Sequence, residues 1–319
     1  MPPTNTRTLR YGPAAIAEAA RLIADGQCVA VPTETVYGLA ADASDSAAVA
    51  RIYAAKGRPS FNPLIVHVPD LAAAERIAVV DDRARDLAAR WWPGPLTLVL
   101  PVQTGAVASL VTAGLDTVAV RVPAHRAMQA LLRTTGKPLA APSANASNRI
   151  SPTRAAHVLL TLDGRIPLVI DDGPTTAGVE STIIDGQTGK VLRPGPIDPI
   201  SREGGGPGPE ATTLVAPGAR LREGTVVAPG QLASHYAPTK RLRLNATERR
   251  NGEWLIGFGA VTGDDTLSAS GDLVEAAAHL FDALHRADAS GSTAIAIAPV
   301  PDDGIGVAIN DRLGRAAHR

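Results

Sequence analysis

Ser46-Ala-Ala-Val-Ala-Arg-Ile-Tyr-Ala-Ala-Lys56-Gly57-Arg58-Pro59-Ser60-Phe61-Asn62-Pro63-Leu64-Ile65-Val66-His67-Val68 holds a helix, a stop signal, a proline-stiffened loop and a strand in sequence. The run 46–55 is rich in helix-forming alanine, and Lys56-Gly57 ends it as basic residues and glycine end helices. The apolar run 64–68 then has the length and β-branched content of a buried strand. The same alternation surrounds it. Residues 13–26 read as an amphipathic helix with Pro13 near its start and Gly26 at its end, followed by a strand at 28–32. Short apolar runs recur at 96–100, 118–122, 139–141, 168–170 and 182–184, between helical patterns near 81–90, 124–134 and 153–162. The expectation is one α/β domain over residues 1–200, a twisted mixed sheet flanked by helices.

Beyond it the pattern dissolves. Residues 201–238 contain seven glycines and five prolines, a density at which packed structure is not expected, so this stretch reads as a linker. A second, smaller α/β pattern occupies 239–319, with strands at 254–258 and 293–298 and helices at 272–286 and 307–317. The cluster Arg241, Arg243, Arg249 and Arg250 reads as a solvated face.

Composition removes several function classes. The chain of 319 residues carries 31 Lys+Arg against 31 Asp+Glu, which argues against a surface built to grip a polyanion. Its single cysteine, Cys28, excludes an intramolecular disulfide and a thiolate zinc cluster. No run of about 18 uncharged apolar residues occurs, and the expected location is cytoplasmic, away from membranes. Phosphate-loop, zincin, serine-hydrolase and kinase signatures are absent. Gly257 and Gly259 follow a strand but lack the third glycine of a dinucleotide fingerprint, and the seven histidines show no ligand spacing.

The informative segments lie at strand ends of the first domain, where α/β proteins place ligands. Lys56 and Arg58 put two cations just past a helix end, with Pro59 fixing the backbone, an arrangement that suits a phosphate chain. Pro142-Ser143-Ala144-Asn145 gives a rigid turn with two short hydrogen-bonding side chains, fit for phosphate or ribose. Arg121 ends the apolar run Val118, Val120, Val122 region, and a planar guanidinium fork at a sheet end suits a carboxylate. Trp91 and Trp92 read as packing residues.

Taken in order, PTETVYGL (32–39), KGRP-x-x-NPLIVH (56–67), WPGPLT (92–97), DTVAVR-x-P (116–123), APSAN (141–145), GVESTII (178–184) and LRPG (192–195) resemble the YrdC-type L-threonylcarbamoyladenylate synthases. The APG at 228–230, HYAP at 235–238 and GIGVAI at 304–309 match the long form, which appends a linker and a small Rossmann-like domain. The resemblance implies a nucleotidyltransferase that makes L-threonylcarbamoyl-AMP and pyrophosphate from L-threonine, bicarbonate or CO2, and ATP. A separate transferase complex then uses the product to modify the tRNA adenosine beside the anticodon.

By the same resemblance Thr35, His67, Arg121, Ala141 and Ser181 hold threonine, with Arg121 on its carboxylate. Arg58, Asn62, Thr117, Ser143, Ser151 and Arg193 hold ATP, and Lys56 and Asn145 join them as phosphate neighbours on the charge argument. Lys56 and Arg58 are the expected catalytic cations, stabilising phosphoryl charge together with Mg2+ carried by the ATP phosphates rather than by protein side chains. No organic cofactor is implied, and direct tRNA binding is expected to be weak. His235 and Tyr236 are expected to fold over the pocket as a lid, with docking of the second domain as the alternative role for Tyr236. Arg149-Ile150-Ser151 stands where the family usually has Arg-Pro-Ser, which weakens the case for Ser151. A related hydrogenase-maturation carbamoyltransferase needs zinc fingers that a one-cysteine chain cannot supply. An RNA-binding module using the same basic pocket, and a nicotinamide enzyme built on Gly257 and Gly259, are the other rivals.

Overall fold

The computed structural model describes residues 5–59, 61–198 and 235–318. Its first part runs β1 (Arg7–Arg10), α1 (Pro13–Ala24), β2 (Val29–Pro32), β3 (Tyr37–Asp42), α2 (Ser46–Lys56), β4 (Ile65–His67), α3 (Leu71–Glu75), α4 (Asp82–Trp91), β5 (Leu96–Pro101), α5 (Ser109–Thr112), β6 (Thr117–Arg121), α6 (Arg126–Thr135), β7 (Leu139–Ala140), α7 (Ala155–Leu162), β8 (Leu168–Asp171), β9 (Thr182–Asp185) and β10 (Val191–Arg193). These strands form one ten-stranded sheet in the order β1-β8-β2-β3-β7-β4-β6-β5-β9-β10. The pairs β1/β8, β2/β8, β4/β6 and β5/β9 are parallel, and β2/β3, β3/β7, β4/β7, β5/β6 and β9/β10 are antiparallel. The sheet is mixed, as its pattern predicts.

Local chemistry sets the element ends. Asp45 caps α2 by accepting from Ala47 N at 2.8 Å and Ala48 N at 3.3 Å, and Gly57 closes it in the left-handed region at φ +59°. Asp70 and Asp81 cap α3 and α4 in the same way. The sheet is covered on both faces. One layer packs Leu39, Leu64, Leu96 and Leu98 against α2 residues such as Ile52, and the other packs Val29, Val31 and Leu168 against Ile16 of α1 and Leu131 of α6. Cys28 is buried within the first layer, and burial pushes its thiol up to about 11, so it behaves as a small apolar group.

The second part runs β11 (Arg241–Arg243), β12 (Glu253–Gly257), β13 (Asp265–Thr266), α8 (Leu273–Ala289), β14 (Ala294–Ile297) and α9 (Gly306–Ala317). Its strands form an all-parallel sheet in the order β11-β14-β12-β13. The basic run is a solvated face, with Arg241, Arg249 and Arg250 exposed, and Arg243, on the strand Arg241–Arg243, is held by Glu253 at 2.6 Å. The expected linker falls mostly outside the described residues. Its end does not, and Ala237 N donates to Asn148 O at 2.9 Å on the first part. The two parts share an apolar core in which Val36, Ile150 and Val179 of the first meet Phe281 of the second, with Tyr236 between them. No helix among the described residues is long and apolar enough to cross a membrane.

Candidate active site

His67 closes β4 and Arg121 closes β6, and these parallel neighbours are in register, His67 opposite Arg121. Both side chains line the same cleft. Its floor is the sheet end. Its walls come from the turn between β2 and β3, the segment after β7, the approach to β9, the end of β10 and the pair His235-Tyr236.

At one end the Arg121 guanidinium is fixed on three sides. Nε donates to Gly94 O at 3.2 Å, Nη1 to Thr35 Oγ1 at 2.9 Å and Nη2 to Glu34 Oε1 at 2.7 Å. Thr35 is itself oriented, its hydroxyl 2.8 Å from that of Thr33, which donates to Val36 O at 2.7 Å. Burial raises the Glu34 carboxyl, but the Arg121 charge and hydrogen bonds outweigh it and hold the group below its ordinary value. Beside them His67 is 2% exposed, and burial, reinforced by the Arg121 charge, pushes its imidazole down to about 3. It is neutral at physiological pH, and its Nδ1 is buried with no hydrogen-bond partner among the described residues.

At the other end Arg58 Nη2 donates to Pro63 O at 3.0 Å, and burial pushes its guanidinium down to about 10, which leaves it charged at neutral pH. Arg193 donates through Nε and Nη2 to Ser181 O, at 3.1 and 2.9 Å, and through Nη2 to Ser181 Oγ at 3.1 Å. The Ser181 hydroxyl also meets Thr97 Oγ1 at 2.7 Å. The cleft therefore has one anchored cation, Arg121, at one end, two, Arg58 and Arg193, at the other, and short hydroxyl side chains along it. Such an arrangement can hold a small carboxylate and a larger polyanion side by side.

Of the expected threonine group, Thr35, His67, Arg121, Ala141 and Ser181 all line this cleft, as do Arg58, Ser143 and Arg193 of the ATP group and the pair His235 and Tyr236. Five expected residues do not line it. Lys56 is corrected from a phosphate-facing cation: its ammonium donates to Ser143 O and Asn145 O, both at 2.5 Å, and to Asn145 Oδ1 at 3.4 Å, so it braces the turn from behind. Asn145 spends its amide on Ala146 O and Arg149 O within the same turn. Ser151 is fully buried and donates to Glu180 Oε1 at 2.5 Å. Asn62 is buried with its Oδ1 unpartnered among the described residues. Thr117 opens β6 on the face that Arg121 shares, about 13 Å along the strand from it.

Three residues that sequence reasoning did not single out matter here. Glu34 and Glu180 sit inside motifs already quoted, and the pattern of neighbouring cations gave no way to say which acid meets which base. Thr33, which orients Thr35, has the N-terminal place in its turn that threonine often takes. Tyr236 is 1% exposed at φ +63°, a left-handed backbone that costs a bulky residue about 1–2 kcal/mol. Its ring packs on Phe281 with centroids 5.6 Å apart, and on the His235 ring at 4.0 Å.

Comparison with known proteins agrees with this geometry. A family model described as "Telomere recombination" (Sua5_yciO_yrdC) matches residues 21–195, and one described as "Threonylcarbamoyl-AMP synthase, C-terminal domain" matches residues 208–318. A Bacillus subtilis protein named threonylcarbamoyl-AMP synthase is 41% identical over 329 residues, covering 95% of this chain and 92% of the relative. A protein of the same name from Pyrococcus abyssi is 39% identical, covering 94% and 93%. The crystal structure of P. abyssi Sua5 complexed with L-threonine superposes with a TM-score of 0.83 at 36% identity, over 97% of this chain and 96% of that one. With matching models across both parts and relatives aligned along nearly their whole length, this chain belongs to the threonylcarbamoyl-AMP synthase family.

Proposed function

We propose that the protein synthesises L-threonylcarbamoyl-AMP from L-threonine, bicarbonate or CO2, and ATP, with release of pyrophosphate, in the cleft between Arg121 and Arg193. The observation that carries this reading is the Arg121 fork. Three of its N–H groups are bound by the protein, and one on each Nη is left to take a carboxylate. Thr35, His67, Ala141 and Ser181 surround that position and hold the rest of threonine. With its Nδ1 unpartnered, neutral His67 accepts a hydrogen bond from the substrate; a group whose pKa lies near 3 is a poor general base at neutral pH, so the amine loses its proton elsewhere.

The amine nitrogen attacks CO2 to form the carbamate, releasing a proton. A carbamate oxygen then attacks the α-phosphorus of ATP, and the bond to pyrophosphate breaks in line with it. No protein nucleophile takes part. Arg58 and Arg193 face the phosphates, with Ser143 along the nucleotide, and positioning with charge stabilisation supplies the rate. Lys56, Asn145 and Ser151 act from behind, by fixing the walls. Among the described residues no group of three or more His, Cys, Asp or Glu side chains gathers to hold an ion, and Glu180, the acid lining the cleft, is engaged by Ser151 and by Arg312. Magnesium enters as part of the MgATP substrate, where it neutralises phosphate charge.

His235 and Tyr236 exclude water from a product that hydrolyses readily. Residues 1–200 form the catalytic unit on this reading, 201–238 the connection and 239–319 the second unit. The product passes in the cytoplasm to a separate transferase complex acting on tRNA, and direct tRNA affinity is weak. The test incubates purified protein with ATP, magnesium, bicarbonate and threonine, and follows pyrophosphate together with the adenylate by mass spectrometry. Threonine-dependent formation of both is expected. Pyrophosphate release indifferent to threonine refutes the reading.

A further inference from the structure

Arg312 lies on α9 in the second part of the chain, yet it is 0% exposed and its guanidinium is spent on the first part. Nε donates to Glu180 Oε2 at 3.1 Å, Nη2 to Glu180 O at 3.3 Å and Nη1 to Pro194 O at 2.6 Å. Nη1 also meets Asp311 Oδ2 at 3.2 Å, and the guanidinium carbon lies 5.7 Å from the Tyr236 ring centroid. Apart from that with Asp311, its neighbour on α9, these contacts fall on segments that line the nucleotide end. Glu180 lines the cleft and holds Ser151, Pro194 follows Arg193, and Tyr236 lines the cleft. Removing a guanidinium completely from water is costly, and apolar packing would join two domains at least as well. A planar fork does what apolar packing cannot, because it fixes a carboxylate and two carbonyl oxygens in one plane.

We propose that Arg312 is a positioning residue for the nucleotide, so that the second domain completes the active site rather than decorating it. The inference rests on the placement of ATP at the Arg58 and Arg193 end. Without Arg312, the segments carrying Ser181 and Arg193 lose their common support. Threonine keeps the Arg121 fork, whose contacts with Gly94, Thr35 and Glu34 involve none of these groups, and loses only the support behind Ser181.

The experiment uses the full chain and measures KM for ATP and for threonine by pyrophosphate release, together with direct binding of α,β-methylene-ATP by calorimetry. Displacement of a wall by about 1 Å can cost on the order of 10²-fold, so Arg312→Met is expected to weaken analogue binding and raise the ATP KM by about tenfold or more, with the threonine KM raised by much less. Arg312→Lys keeps the charge without the fork and is expected to fall between. Arg154→Met breaks the half-exposed interdomain pair with Asp282, 2.9 Å long and away from the cleft, and is expected to leave both constants near wild type. Where Arg312→Met does not fold, because Glu180 is left buried and unpaired, the double variant Glu180→Gln/Arg312→Met removes both charges and the same ATP defect is expected. Wild-type analogue affinity in Arg312→Met or in the double variant overturns the proposal. So does an equal change in both substrates shared with Arg154→Met, which marks general loosening. If wild type makes no threonine adenylate while Arg312→Met still weakens analogue binding, the proposed reaction fails and the role of Arg312 stands.

Discussion

Replacing Arg121 by lysine isolates the geometry of the carboxylate site from its charge. Arginine offers five N–H groups, of which Gly94, Thr35 and Glu34 take three at 3.2, 2.9 and 2.7 Å, leaving one on each Nη. Lysine offers three donors from a single atom. If two of them satisfy Glu34 and Thr35, one remains, so the substrate carboxylate loses one charge-assisted hydrogen bond. Such a bond contributes about 1.5–3 kcal/mol, which is roughly a 10- to 10²-fold rise in threonine KM. The ATP KM is expected to stay near its wild-type value, because Arg58 and Arg193 are untouched. Folding is preserved because the Glu34 charge keeps a partner; an alanine at this site would strand a buried carboxylate, at about 3–5 kcal/mol. Steady-state pyrophosphate release at saturating ATP gives the threonine constant, and thermal unfolding reports the fold. A folded Arg121→Lys protein with wild-type threonine KM, or one in which the ATP KM moves equally, refutes Arg121 as the carboxylate ligand.

Lys56→Met keeps the stem but strips the Asn145 carbonyl of its ammonium donor, at about 1–3 kcal/mol, and leaves Ser143 O with the Asn145 N–H, so melting temperature and turnover are both expected to drop; lost turnover at an unchanged melting temperature would show that the ammonium acts on substrate instead. His67 and His285 both have folded-state values near 3, from burial first and then from neighbouring positive charge, against an ordinary value near 6.5. The unfolded chain therefore binds more protons between these values, and stability falls as pH drops from 6.5 towards 3. Each imidazole accounts for about 2 kcal/mol at pH 5, read by urea unfolding at pH 7 and pH 5, and a flat profile would contradict the burial of both rings. Gly178→Ala forces a side chain into φ +70° and drives its Cβ into the backbone of α8 at Ala277 and Ala278. Looser docking of the second domain should appear as faster proteolysis between the two parts, and wild-type resistance would deny that close approach.

The longer helices were legible to within about three residues, most of them by stop signals at their ends, whereas the short α3 and α5 were not legible. The pattern reading of 46–55 becomes Ser46–Lys56, between the Asp45 cap and Gly57. Strand β3 was not legible as a strand, because Tyr37-Gly38-Leu39-Ala40-Ala41-Asp42 has small residues where alternation would show, and it lies in the sheet interior, buried on both faces. At the site, motif order located the cleft but could not separate residues that face it from residues that brace it. Lys56 and Arg58 are two positions apart at a helix end, and the turn carried by Ser143 and Asn145 decides that the first points inward and away from the opening. Arg312 gave no signal, being one of many arginines on a helix face. Its meaning depends on a contact with Glu180 that spans 132 positions.

The separation of the cleft's walls along the chain also governs when the protein becomes an enzyme. Leu96 pairs with Thr182 in a parallel ladder, Glu34 clamps Arg121, and Tyr236 lines the cleft beside them. Contacts of such long range form late, and domains emerge from the ribosome N-terminal part first. A nascent chain that has passed Arg121 but not Tyr236 has its carboxylate fork and lacks part of the cleft's lining. Translation thus delays assembly of the full cleft until most of the polypeptide is made.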